Sequence, residues 1–69
     1  MNLIINGKPE QLPDGITAAQ LIEQLGLADQ RLAMEVNREI VPRSAFPRYT
    51  FKPGDQIEVF ERIEVARVI

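Results

Sequence analysis

Residues 2–26 read NLIINGKPEQLPDGITAAQLIEQLG, and this stretch decides the fold. Leu3-Ile4-Ile5 is a short apolar run leading into Asn6-Gly7, a dipeptide suited to a two-residue hairpin because both positions sit at φ > 0. The return strand, Lys8 to about Leu12, contains Pro9. Proline has no N–H to give to a ladder, so this strand belongs at a sheet edge. Pro13-Asp14-Gly15 then turns the chain. Thr17 and Gln20 have the spacing of a capping box, with Ile16 and Leu21 at the hydrophobic-staple positions. Ala18, Leu21, Ile22 and Leu25 recur at i, i+3, i+4 and i+7, one apolar stripe on a short helix. Gly26 stops it as a left-handed residue, so a helix is predicted over about 18–25.

Beyond the helix the period changes to two. Leu32, Met34 and Val36 alternate with Ala33 and Glu35, which reads as a strand. Asn37-Arg38 is a turn, and Glu39-Ile40-Val41 is a short return strand stopped by Pro42. Residues 42–47 form a loop or a single 3₁₀ turn holding Phe46. Lys52-Pro53-Gly54-Asp55 fits a type II turn, with proline at its second position and glycine at its third; the Asp55 side chain closes it. From Gln56 to Phe60, Ile57 and Val59 face one way, Glu58 and Phe60 the other. The order is β-β-α-β-β-β. One short helix covering one face of a sheet is a two-layer α+β fold. If the most apolar strands take the centre, the first strand lies beside the last in a mixed sheet of four to five strands. That is the β-grasp, or ubiquitin-like, architecture. Its predicted core is Leu3, Ile5, Leu21, Leu25, Met34, Val36, Ile57 and Val59.

Composition narrows the function. The 69 residues make one domain, and 45% apolar content favours a folded globule over a disordered segment. Eight basic against ten acidic residues give a net charge of −2. With no basic block, nucleic acid is not an expected partner. No apolar run reaches membrane-spanning length, and Met1–Ile5 is too short for a signal peptide. The sequence has no cysteine and no histidine, which removes thiolate chemistry, the commonest general base and the commonest metal ligands. The expectation is a cytoplasmic protein that is not an enzyme and holds no cofactor or metal.

VNREIVPR (Val36–Arg43), followed by KPGDQIEVF (Lys52–Phe60), resembles the ThiS family, the sulfur carriers of thiamine biosynthesis. The opening strand, asparagine turn, second strand and capped helix match the same pattern, and the similarity covers roughly residues 2–63. The small subunit of molybdopterin synthase shares the fold but resembles the chain less. The resemblance implies a β-grasp carrier whose C-terminal glycine carboxylate is activated with ATP by an adenylating enzyme (ThiF-like). A sulfur donor then converts it to a thiocarboxylate, and a thiazole synthase (ThiG-like) takes the sulfur. ATP and metal chemistry would belong to those partners.

The end departs from the pattern. Residues 1–63 read as the carrier domain and 64–69, EVARVI, as a tail lacking Gly-Gly. With Ile63 at the apolar position before the tail, Val65 and Ala66 align with the family glycines. Sulfur attachment would then fall on the terminal carboxylate of Ile69. Val68 and Ile69 are stiff and wide at the β-carbon, a poor fit to a narrow channel that glycine threads easily. The tail could instead continue the strand or pair with a second copy, giving a dimer where a monomer is otherwise expected. Two cases stay open: an altered 3′ end, or an interaction module that binds without transferring sulfur.

Ile4 and Phe60 alternate with core positions, so both belong on the sheet face away from the helix. The resemblance makes that face, with Ile63, the docking side. Scattered surface residues, or cover by loop 42–52, are the plainer explanations. Arg43 either meets a partner's acid or caps a local carbonyl. Glu58, Glu61 and Glu64 are split by alternation, with Arg62 between Glu58 and Glu64, which gives a charge-balanced strand surface and not a metal site.

Overall fold

The computed structural model describes residues 1–61. Strands β1 (Asn2–Ile5) and β2 (Lys8–Gln11) precede helix α1 (Ala18–Gln24). Then follow β3 (Leu32–Val36), β4 (Glu39–Val41), a 3₁₀ turn (Arg43–Ala45) and β5 (Gln56–Glu61). The sheet order is β2-β1-β5-β3-β4. β5 lies at the centre, parallel to β1 and antiparallel to β3, and the two hairpins flank it. This is the mixed β-grasp sheet expected from the sequence. Among the described residues no helix is long and apolar enough to cross a membrane.

Both hairpin tips take the left-handed conformation, as the Asn6-Gly7 dipeptide predicts for the first. Asn6 and Gly7 have φ of 50° and 81°, and Asn37 and Arg38 have φ of 52° and 70°. The Ile4 N–H donates to the Asp55 carbonyl just before β5, so Ile4 and Pro9 face each other as a non-hydrogen-bonded pair. The Pro9 nitrogen therefore points out of the sheet, where a missing N–H costs nothing.

The Thr17 hydroxyl accepts from the Gln20 N–H at 3.2 Å, and the Gln20 side chain accepts from the Thr17 N–H at 2.9 Å. At the other end Gly26 (φ 75°) donates to the Glu23 carbonyl and Leu27 to the Ile22 carbonyl, the paired bonds of a Schellman stop. The turn over Lys52–Asp55 closes as a type II turn should. Asp55 N–H reaches the Lys52 carbonyl at 3.1 Å, Gly54 has φ 84°, and the Asp55 carboxylate accepts from the Lys52 N–H at 2.9 Å.

The core lies between α1 and one sheet face. Leu3, Leu21, Met34 and Ile57 are its most enclosed side chains. One predicted core residue is displaced: Leu25 is 39% exposed. It is the C-cap, and a seven-residue helix turns away before a fourth apolar position can reach the sheet. Phe46 and Phe51 bury on the helix side instead. The loop carrying them is tied to the helix start by Ala19 N–H to the Phe46 carbonyl and Ala18 N–H to the Tyr49 carbonyl.

Candidate functional site

Because Leu32, Met34, Val36, Ile57 and Val59 are buried against the helix, their neighbours on each strand face the other way. The pairing register arranges that outer face in rows. Phe60 stands opposite Ala33, Glu58 opposite Glu35, and Glu35 in turn opposite Ile40 on the edge strand β4. On the far side of β5, Gln56 meets Ile4, which meets Pro9. Phe60 is 47% and Ile40 74% exposed. Loop 42–52 does not cover them; its aromatics are spent on the core.

A shallow groove of about 620 Å³ runs beside Phe60, Ala33, Ile40, Pro42 and Arg43. Arg43 donates one guanidinium N–H to the Gln30 carbonyl at 3.1 Å. The bond holds the side chain at the groove wall. Phe60 and Arg43 are thus brought together. Ile4 is half-buried and lies apart from them: its partner on β5 is Gln56, four residues from Phe60, about 13 Å along a strand. Ile4 and Phe60 therefore do not make one contiguous patch. Ile40, and not Ile4, lines the groove with Phe60; the two-residue turn at Asn37-Arg38 fixes the register and sends Ile40 outward. Ile63, Val65, Ala66 and Ile69 lie outside the described residues.

The backbone of β5 is held from both sides by asparagine carboxamides that sequence reading assigned only to turns. Val59 N–H donates to the Asn6 side-chain oxygen at 2.9 Å, at the point where β1 has ended and offers no further carbonyl. On the other flank, Gln56 N–H donates to the Asn37 side-chain oxygen at 3.0 Å, and the Asn37 amide donates to Asp55 at 3.1 Å. The central strand that leads toward the C-terminal segment is thereby fixed in register at both hairpin tips. Among the described residues no group of three acidic, histidine or cysteine side chains is placed to hold a metal ion.

The ThiS family model matches residues 3–63. The sulfur carrier protein ThiS of Escherichia coli is 33% identical over 63 residues, 91% of this chain and 96% of that protein. A thiazole synthase of Paramagnetospirillum magneticum is 34% identical over 59 residues, 86% of this chain; the chain spans only 18% of that enzyme's length. The crystal structure of the thiamine biosynthesis protein ThiS of Geobacter metallireducens superposes with a TM-score of 0.80 at 33% identity. The match covers 96% of this chain and all of that one.

Proposed function

The chain belongs to the ThiS family, and from that premise we propose that it carries sulfur for thiazole formation in thiamine biosynthesis, as a terminal thiocarboxylate. The observation that supports this most is the family match running the whole length of the fold and on past β5, to residue 63. The chain itself catalyses no step. A ThiF-like adenylating enzyme would bind the outer face, and the chain's terminal carboxylate would attack the α-phosphate of ATP with loss of pyrophosphate. A sulfur nucleophile then displaces AMP, and a ThiG-like thiazole synthase receives the sulfur. The compartment proposed for the cycle is the cytoplasm, which supplies the ATP the adenylation consumes. Phe60 and Arg43 are the proposed docking residues of the described part, with Ile4 standing apart from them on β1; Ile63, also expected to dock, lies outside the described residues. An interaction module without transfer is not favoured by these relatives.

In the sequence as given the accepting carboxylate is that of Ile69, and Val65 and Ala66 occupy the glycine positions. Their bulk sets the expectation: a chain ending at residue 66 with Val65→Gly and Ala66→Gly is charged readily, and the chain ending at Ile69 poorly. Intact-mass measurement after incubation with adenylating enzyme, ATP and a sulfur donor reads the exchange of one oxygen for sulfur. No such exchange in either chain would overturn the carrier function.

A further inference from the structure

The tip at Asn6-Gly7 consists of two exposed residues at φ of 50° and 81°. Asn6 extends the ladder between β1 and β5 with both its backbone and its side chain. Its N–H donates to the Ile57 carbonyl at 2.9 Å, and its side-chain oxygen accepts from the Val59 N–H at 2.9 Å. Its side-chain nitrogen has no bond among the described residues. The Gly7 N–H, outside the ladder, donates to no backbone carbonyl among them. Asn37, at the other tip, differs on both counts. Its carboxamide is held at both ends, the oxygen by the Gln56 N–H and the nitrogen by Asp55, and Arg38 follows it in place of a glycine.

A backbone nitrogen can add to the side-chain carbonyl carbon of the asparagine before it, and glycine, lacking a Cβ, leaves that nitrogen unshielded. At Asn6 the Val59 N–H already sits on the oxygen that gains charge during the addition, the arrangement that stabilises an oxyanion. The unbonded amide nitrogen departs without breaking any contact. We propose that Asn6 is a site of spontaneous deamidation in the folded chain, selected over Asn37 by how each carboxamide is held. The Gly7 nitrogen bonds to the Asn6 side-chain carbon and gives up its proton. The bond from that carbon to the amide nitrogen breaks, and ammonia leaves a cyclic succinimide. Water then opens the ring at one carbonyl or the other, giving aspartate or isoaspartate. Aspartate keeps an acceptor for Val59. Isoaspartate adds a carbon to the backbone at the tip, so the turn no longer closes in register and the Val59 N–H loses its partner. The chemistry needs only water and is independent of the carrier function.

The full chain is aged under native conditions at mildly alkaline pH, beside an Arg38→Gly chain in which Asn37 also precedes glycine. Peptide mapping that separates aspartate from isoaspartate follows each asparagine, and circular dichroism confirms that both chains stay folded. In the unaltered chain residue 6 is expected to convert ahead of Asn2 and Asn37. In the folded Arg38→Gly chain it should convert at least about tenfold faster than Asn37, whose nitrogen must first leave Asp55. In urea the two rates should converge, because neither carboxamide is held. The isolated isoaspartate product should unfold at lower urea than the aspartate product. Equal rates at the two tips of the folded Arg38→Gly chain would overturn the inference, as would an aged unaltered chain whose residue 6 keeps its amide.

Discussion

Asn6 has two duties that few residue types fulfil together. It tolerates φ of 50° at a hairpin tip, and its side-chain oxygen takes the Val59 N–H. Asn6→Ala removes both, leaving a partly buried N–H unpaired, and is expected to cost about 2–3 kcal/mol in urea unfolding; Asn6→Asp keeps an acceptor and should cost much less. Arg38 is the converse case. Its φ of 70° suits glycine, and Arg38→Gly should stabilise the chain by up to about 1 kcal/mol. Tyr49 gives a pH signature. Burial first, then the negative charges of Asp55 and Glu39, raise its phenol above the ordinary 10.0. The folded chain therefore holds this proton more tightly than the unfolded chain. The resulting stability is intact below the unfolded value and is lost as pH rises through the higher folded one. Tyr49 is the only tyrosine, so phenolate absorbance in the folded and urea-unfolded chain reads the shift directly. The melting temperature of Tyr49→Phe should fall less steeply above pH of about 10 than that of the unaltered chain.

At the scale of elements, α1 is too short to persist alone and depends on its caps and on the sheet beneath it. Thr17→Ala deletes the N-cap acceptor and should cost about 1 kcal/mol. Gly26→Ala forces an alanine to φ 75° where nothing lies within 4 Å of the added carbon. Its cost of about 1–2 kcal/mol is then a backbone cost alone. Both changes should lower the urea midpoint with no change in slope. The helix was legible because its start and stop signals are local. Leu25 was misplaced for the opposite reason. Its spacing fits the apolar stripe, but the stop at Gly26 comes one residue later, and only the packed helix shows that the C-cap lies past the sheet. The strands were legible through alternation and turn chemistry, since Asn6-Gly7 and Lys52-Pro53-Gly54-Asp55 each admit few conformations.

For the molecule as a whole, 69 residues support a total stability of roughly 3–10 kcal/mol. Met34→Ala would remove a fully enclosed side chain from the strand beside β5 at a cost of about 2–5 kcal/mol, enough to bring the chain close to its unfolding threshold, as circular dichroism in urea would show. The sequence by itself determined the elements, their order, the edge position of the Pro9 strand and the family pattern carried by VNREIVPR and KPGDQIEVF. These rest on contacts within a few residues, where torsional preference and period suffice. The tertiary structure decided what meets across strands. It separated Ile4 from Phe60, put Ile40 beside the groove, set Glu35 against Glu58, and gave Asn6 a partner 53 residues away. Such pairs depend on the register of strands distant in the chain, and register is fixed only when all five strands close over one core.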